Sequence, residues 1–267
     1  MMASYVRASR DVASNPANKA SMTDIPDCVD IAFVFPGGYE TDNFWKVLNE
    51  TYVPMLQARG TRVVKTIGIN TLLNPAYPNT AQGHEDLAES IVDSQVDEYD
   101  LDGLDIDVEQ DLSSAQVQKA AGVFAALSKR LGPKSGSGKL LIYDTKQAGN
   151  TALFRSVYPY VDYVLVQSYG RSVNSLAGTW NTYKPYIASS KYMVGFSFYE
   201  ENGNRWNDVS SSVKNSRAYQ FSMWQPAGAK KAGVFYAIDR DGVPHGSNAL
   251  VPTNYSWTRQ LIAAMNP

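Results

Sequence analysis

A short acidic segment constrains the fold of this chain more than any other part of its sequence. Three acids, Asp105, Asp107 and Glu109, alternate there with aliphatic residues. A period of two is typical of a β-strand, and it places all three carboxyl groups on one face, roughly 6–7 Å apart along the strand. Like charges at that range repel, and burial adds to the cost. The row therefore predicts a catalytic site or a metal site.

Apolar runs recur at even spacing along the rest of the chain. They predict eight strands, over Ala3–Ser9, Val29–Phe35, Arg62–Ile69, Gly103–Glu109, Leu140–Thr145, Tyr163–Tyr169, Tyr192–Tyr199 and Gly233–Asp239. Helical patterns predict helices over Phe44–Ala58, Gly83–Tyr99, Ser114–Leu131, Ser175–Ile187, Val209–Gln220 and Ser256–Met265. Eight β/α units in 267 residues favour one catalytic domain, residues 1–267, of the α/β class with a single (β/α)8 TIM-barrel fold. An open, doubly wound sheet is the alternative.

In such a barrel the active site lies where the strands end. Glu109 ends the fourth predicted strand, and polar or aromatic side chains end most of the others, so they should gather at one rim. These further candidates are Phe35, Asp144, Gln167, Tyr169, Tyr199, Glu200, Tyr236 and Asp239. Trp206 follows the seventh strand and is a candidate for stacking on a sugar ring.

The composition narrows the classes of function. A net charge of −2 gives no basic surface for nucleic acid or an anionic membrane, and no apolar run is long enough to span a bilayer. A single cysteine cannot form a disulfide within the chain, and two histidines are too few for a histidine-rich metal site. No predicted strand is followed by a Gly-rich phosphate-binding loop. We therefore expect neither a metal nor a cofactor. The 17 tyrosines and 5 tryptophans suit a surface that binds sugars.

Two other interpretations of the acidic segment remain. Glu98, Asp100 and Asp102, with Glu109 at the twelfth place, nearly fit an EF-hand calcium loop. However, the residues after Gly103 alternate like a strand and do not enter a helix, and Asp102 is expected to brace the start of that strand. The acids could also pair with arginines in a structural network, although buried acids cluster more often at functional sites.

At this point the residues resemble a known family. The segment Asp102–Glu109 reads DGLDIDVE and matches the DGxDxDxE signature of glycoside hydrolase family 18, which contains chitinases and endo-β-N-acetylglucosaminidases. Gln167–Tyr169 resembles the family's sixth-strand motif in its Gln-x-Tyr form. Gly233–Asp239 resembles the ending of the eighth strand. The resemblance extends from Val29 to Asp239, nearly the whole chain.

Within the family, the chain looks most like the endoglycosidases that release complex-type N-glycans. The bacterial endoglycosidase F group, its second and third members especially, is the nearest comparison. High-mannose-specific relatives carry Tyr after the catalytic Glu, where this chain has Gln110. Many chitinases have Met-x-Tyr-Asp on the sixth strand and Trp on the eighth. Here Tyr236 is expected to take the place of that Trp.

The resemblance implies a substrate-assisted, retaining mechanism. Glu109 would act as acid and then as base, while Asp107 would orient the substrate's acetamido group through its N–H. Tyr169 would hold the acetamido oxygen, and Asp105 would share a proton with Asp107. Gln167 belongs to the same implied catalytic set.

The resemblance also implies a substrate class. We expect cleavage of the chitobiose core of N-glycosylated glycoproteins through an oxazolinium intermediate, by a monomeric protein. A chitinase and an inactive sugar-binding relative are the alternatives, although such relatives often lose the acid that Glu109 supplies. No signal peptide is visible after Met1. We expect a secreted protein whose targeting segment has been removed, with a cytosolic protein as the alternative.

Overall fold

The computed structural model describes residues 1–38, 40–199, 206–247 and 249–266. Within these residues, eight parallel strands close into a barrel in chain order, with β8 beside β1. The strands are β1 (Met2–Arg7), β2 (Ile31–Phe35), β3 (Arg62–Gly68), β4 (Gly103–Val108), β5 (Leu140–Thr145), β6 (Tyr163–Gln167), β7 (Tyr192–Gly195) and β8 (Gly233–Ala237). The predicted TIM barrel is confirmed, and the open sheet is excluded.

Every strand except β1 is followed by α-helix. The helices are α1 (Asp42–Val47), α2 (Val53–Ala58), α3 (Ala81–Gln95), α4 (Ser114–Leu127), α5 (Ala152–Val157), α6 (Leu176–Tyr183), α7 (Arg217–Met223) and α8 (Ser256–Met265). Between β1 and β2 the chain forms 3-10 turns at Ala8–Arg10 and Met22–Asp24. In the described part of the chain, no helix is both long and apolar enough to span a membrane.

Several helices differ from the predicted bounds. The predicted helix over 44–58 is divided into α1 and α2 by a π-helical turn at Leu48–Tyr52. Pro54 follows that turn and has no N–H to continue an α-helical hydrogen-bond ladder. The predicted start of α7 at Val209 is wrong, because the Ser216 side chain caps the helix by accepting from the N–H of Tyr219. The six-residue α5 is too short to show a helical period in the sequence.

Six strands end before their predicted limits, β1, β3 and β4 by one or two residues and the last three by two to four. β6, β7 and β8 end at Gln167, Gly195 and Ala237. Beyond β7 the chain leaves the sheet, since the N–H of Ser197 donates to the side chain of Asp208 and not to a neighbouring strand. The residues expected at these strand ends therefore lie in loops above the barrel, where side-chain direction no longer follows the strand period.

Apolar side chains fill two layers, one inside the barrel and one between barrel and helices. Tyr5 stacks on Phe33 in the inner layer, with ring centroids 4.6 Å apart. The rest of the inner layer is Ala3, Ile31, Val64, Leu140, Ile142, Leu165, Met193 and Phe235. Polar groups enter this layer at Asp105, Asp144 and Gln167, each of which is buried. These exceptions locate the site.

Candidate active site

The acidic strand begins at a position that only glycine fits. Gly103 has φ of +152°, and a Cβ there would lie 2.3 Å from the carbonyl oxygen of Leu140. Just before it, the Asp102 carboxylate accepts a hydrogen bond from the N–H of Val63 at 2.7 Å. Asp102 therefore braces the start of β4 against β3. The segment continues as a strand, which contradicts the helix that an EF-hand requires.

The burial of the three acids decreases along β4. Asp105 is fully buried, Asp107 is half-buried, and Glu109 is exposed. They lead to a pocket of about 160 Å³ at the carboxyl ends of the strands, lined by Tyr5, Arg7, Phe35, Asp107, Glu109, Asp144, Gln167, Tyr169 and Ala237. A larger cavity, of about 490 Å³, lies at the opposite end, where TIM barrels do not place catalysis.

Asp105 lies at the bottom of the row, inside the barrel. One of its carboxyl oxygens accepts from the Tyr5 hydroxyl at 2.8 Å and from the Thr66 hydroxyl at 2.9 Å. Thr66 is level with Asp105 on the neighbouring strand. Burial raises the pKa of this carboxyl to about 8, against the lowering effect of the two hydrogen bonds. Asp105 therefore retains its proton at neutral pH.

Asp107 is the middle carboxyl, and its side chain reaches the pocket. The Gln167 amide donates to its Oδ1 at 3.3 Å. Burial, and next the negative charge of Glu109, raise the pKa of Asp107 to about 6. The carboxyl is thus poised to accept a hydrogen bond from a substrate above that pH and to hold a proton below it.

Glu109 stands at the rim, where its side chain is 45% exposed. The ammonium of Lys146, which follows β5, lies 3.3 Å from its Oε2. A pair this exposed contributes little to stability. It does keep the carboxyl beside the pocket, where a leaving-group oxygen can reach it.

Asp144 lies beside the acid row, level with Asp107 on the adjacent strand. Its Oδ2 is 3.0 Å from the Tyr5 hydroxyl and accepts from the Gln167 amide, also at 3.0 Å. Burial, followed by the charge of Asp105, raises the pKa of Asp144 well above its ordinary value. Both hydrogen bonds fix the carboxyl in the lining of the pocket, and its direct contact with a substrate remains a prediction.

The aromatic side chains of Phe35 and Tyr169 line the pocket. Tyr169 lies two residues beyond β6, and its ring centroid is 6.4 Å from that of Trp206 and 6.3 Å from that of Phe235. Trp206 is 41% exposed. Phe35 packs edge-on against Tyr5 at 5.8 Å. Trp206 lies beside Tyr169 and is not one of the described residues that line the pocket; the binding of a sugar by these three rings remains a prediction.

Sequence reasoning missed four residues of this region. Tyr5 and Arg7 line the pocket from β1, Thr66 binds Asp105, and Lys146 pairs with Glu109. The alternation Ala3-x-Tyr5-x-Arg7 was the available signal, because it points two polar-tipped side chains into the barrel at the end of a strand.

Asp239 acts through Arg7. The guanidinium of Arg7 lies 2.6 Å from Asp239 Oδ2, and Asp239 is 8% exposed. Asp239 is not one of the described residues that line the pocket. The expected substrate-binding carboxylate is therefore the support of a cation that does face the pocket.

Two other predicted binding residues are not among the described residues that line the pocket. Tyr236 is fully buried on the outer face of β8, where it stacks on Phe196 and contacts the Thr258 hydroxyl. The prediction that it lines the site is wrong, because Ala237 occupies the inward position. Tyr199 lies beyond β7 and contributes its carbonyl to Arg240. Glu200, expected beside it at the rim, falls outside the described residues.

Known proteins resemble this chain over nearly its whole length. The profile of the endo-β-N-acetylglucosaminidase EndoS TIM-barrel domain matches residues 4–236. Endo-β-N-acetylglucosaminidase F2 of Elizabethkingia meningoseptica is 43% identical over 276 residues, which cover 99% of this chain and 81% of that protein. EndoS of Streptococcus pyogenes serotype M1 is 37% identical over 90% of this chain, although the match spans only 30% of EndoS.

Solved structures give the same result. An endo-β-N-acetylglucosaminidase from Cordyceps militaris is 56% identical, with a TM-score of 0.97 over 100% of this chain and 91% of that one. A mutant of that enzyme was solved in complex with fucosyl-N-acetylglucosamine-Asn. A GH18 chitinase from Pseudoalteromonas aurantia shares the fold alone, at 14% identity and a TM-score of 0.65 over 98% of this chain and 99% of that one. The chain therefore belongs to the endo-β-N-acetylglucosaminidase family and is a glycoside hydrolase.

Proposed function

We propose that this protein hydrolyses the β1,4 bond between the two N-acetylglucosamines of the chitobiose core of N-linked, complex-type glycans on glycoproteins. The observation that carries the proposal is the row from buried Asp105 through Asp107 to exposed Glu109, which opens into a pocket whose lining includes aromatic side chains. A carboxyl at the rim can protonate a leaving group, and a half-buried one can hold the group that reacts.

The first step is attack by the substrate on itself. The acetamido carbonyl oxygen of the sugar at the cleavage point attacks its own anomeric carbon and forms an oxazolinium ion. Glu109 gives its proton to the oxygen between the two sugars as that bond breaks. Its place at the rim suits this role, because the leaving sugar is still attached to a bulky glycoprotein and cannot enter the barrel.

Two side chains hold the acetamido group during that attack. Asp107 accepts the acetamide N–H and balances the positive charge that develops on the ring, while the Tyr169 hydroxyl donates to the carbonyl oxygen. Gln167 fixes the Asp107 carboxyl from the side, through the 3.3 Å hydrogen bond. Water that Glu109 deprotonates then opens the oxazolinium ion, with net retention at the anomeric carbon.

The relatives favour a glycoprotein substrate over chitin. The Cordyceps militaris enzyme binds fucosyl-N-acetylglucosamine-Asn in one of its structures. That ligand has the composition of the stub left on a core-fucosylated glycoprotein after cleavage within the chitobiose core. Because such glycoproteins are extracellular, we propose that this protein acts outside the cell. Its monomeric state remains a prediction.

Intact mass spectrometry tests the substrate class. An N-glycosylated antibody and, separately, chito-oligosaccharides are incubated with the wild-type protein, with Glu109→Gln and with Glu85→Gln. Glu85 makes a matched control, because it forms an exposed pair with Lys129 far from the pocket. We expect the wild type and the control to leave a single N-acetylglucosamine on the antibody, with or without fucose, and Glu109→Gln to leave the glycan intact.

Each other outcome points elsewhere. Cleavage of chito-oligosaccharides with the antibody untouched would identify a chitinase. Cleavage of neither substrate would favour the inactive sugar-binding relative. Full activity in Glu109→Gln would refute the assignment of the acid.

A further inference from the structure

A chain of hydrogen bonds runs along the lining of the pocket and contains one carboxyl without an assigned role. Asp144 is 3% exposed, and its Oδ1 has no hydrogen-bond partner among the residues described. Its Oδ2 contacts both Tyr5 and Gln167 at 3.0 Å. Tyr5 also binds Asp105, and Gln167 also binds Asp107. Hydrogen bonds through Tyr5 and Gln167 therefore connect Asp144 on β5 to the two acids on β4.

Counting protons shows that this set carries a carboxyl proton. The Tyr5 hydroxyl lies 2.8 Å from Asp105 Oδ2 and 3.0 Å from Asp144 Oδ2. Two hydrogen bonds need two protons, and a hydroxyl supplies one. Burial raises the pKa of Tyr5 well above its ordinary value, so Tyr5 does not lose that proton. The second proton must belong to Asp105 or to Asp144.

Only one of the two carboxyls, Asp105 or Asp144, carries a proton. The outer oxygens, Oδ1 of Asp105 and Oδ1 of Asp144, are buried and have no partner within the described part of the chain. A proton on either would find no acceptor, and an unsatisfied buried donor is costly. The arrangement that satisfies Tyr5 on both sides therefore has one neutral and one ionised carboxyl.

We propose that Asp144 is a positioning residue of the hydrolase, which shares one proton with Asp105 through Tyr5 and fixes the Gln167 amide that faces Asp107. This proposal rests on the proposed function of the site. At rest Asp105 holds the shared proton and Asp144 carries the negative charge. In the transfer, the O–H bond of Asp105 breaks as one forms on Tyr5, and the Tyr5 O–H bond breaks as one forms on Asp144. The negative charge moves from Asp144 to Asp105, and no proton is exchanged with water.

The proton transfer changes the charge of Asp105, which lies close to Asp107 on β4. The titratable groups that act on Asp144 are Asp105 and Asp107 on β4 and Tyr5 on β1. When the charge sits on Asp144, the residue two positions before Asp107 on its own strand is neutral. Asp107 can then carry the negative charge that an oxazolinium ion requires, while Gln167 keeps it in place.

The test compares Asp144→Asn, Tyr5→Phe and the double variant. Asn keeps the size and the contact with Gln167, but it cannot ionise. With one negative charge fewer nearby, the acidic limb of the kcat profile of Asp144→Asn should move to lower pH, and kcat should fall by roughly 10- to 100-fold with little change in KM. Tyr5→Phe removes the hydroxyl through which Asp105 and Asp144 share the proton. The double variant should therefore lose no more activity than the more damaged single variant.

Two results would overturn the proposal. One is a loss of kcat in Asp144→Asn with the acidic limb unmoved, which a merely structural role would give. The other is losses that multiply in the double variant, which would show that Asp144 and Tyr5 act independently.

A measurement without substrate separates failure of this proposal from failure of the proposed function. Urea unfolding from pH 5 to 8 should show a weaker pH dependence in Asp144→Asn than in the wild type, whatever glycan the protein cleaves. An unchanged pH dependence would contradict proton sharing, even if the enzyme cleaves antibody as proposed.

Discussion

The substitution Asp105→Asn should alter how stability depends on pH. The pKa of the Asp105 carboxyl is about 8 in the folded protein, against an ordinary value of 3.8, mainly because the group is buried. Each pH unit between folded and unfolded pKa corresponds to about 1.4 kcal/mol. Ionising Asp105 in the folded protein therefore costs on the order of 5 kcal/mol more than in the unfolded chain.

The sign follows from proton binding. Between about pH 4 and pH 8 the folded protein holds a proton that the unfolded chain has lost, so the free energy of unfolding falls as pH rises. The stabilisation is complete below the unfolded pKa and is lost through the folded pKa near 8. Between pH 5 and 8 the wild type should lose about 3–4 kcal/mol that Asp105→Asn does not lose.

Urea unfolding, followed by circular dichroism at four pH values across this window, measures the difference. Asp100→Asn is a matched control, because Asp100 is exposed and has φ of +51°, a conformation that Asn tolerates. The control should follow the wild type. Parallel pH profiles for Asp105→Asn and the wild type would refute the claim that the buried carboxyl keeps its proton.

Four further substitutions test the site and its support. Gln167→Leu removes the amide that holds Asp107 and should lower kcat by roughly 100-fold with KM nearly constant; a change confined to KM in steady-state assays on a glycopeptide would contradict this role. Tyr169→Phe should lower kcat by a similar factor, roughly 100-fold, whereas Tyr236→Phe should keep wild-type kcat and cost about 1 kcal/mol of stability. Equal kinetic effects of the two would place Tyr236 at the site after all. Gly103→Ala should cost more than about 2 kcal/mol in thermal or urea unfolding, because its Cβ overlaps a backbone carbonyl and its φ is positive; wild-type stability would show that the strand start is not constrained.

The acid row was predictable because its evidence is local. Alternation over a few residues fixes a strand and its face, and Asp102 to Glu109 also carry a complete family signature. Eight evenly spaced apolar runs likewise predict the barrel, because a parallel strand that is buried on both faces has a nearly continuous apolar sequence. These inferences needed no knowledge of which residues meet in space.

The remaining parts of the site depend on contacts between distant segments. Tyr5 and Asp105 are a hundred residues apart in sequence, and only closure of the barrel brings them together. Tyr236 was assigned to the wrong face because a shift of one residue in a strand turns every side chain over. Asp239 was recognised as a polar residue near the rim, but its partner Arg7 lies at the other end of the chain.

In the proposed mechanism, the acids of β4 act together with the substrate's own acetamido group. A glycopeptide whose reacting sugar carries a trifluoroacetamido group in place of acetamido tests this directly, because fluorine withdraws electrons from the attacking carbonyl oxygen. With wild-type enzyme at saturating substrate, we expect kcat to fall by orders of magnitude compared with the natural glycopeptide. An unchanged kcat, with chemistry shown to be the slow step by single-turnover kinetics, would contradict substrate assistance and require a nucleophile from the protein or from water.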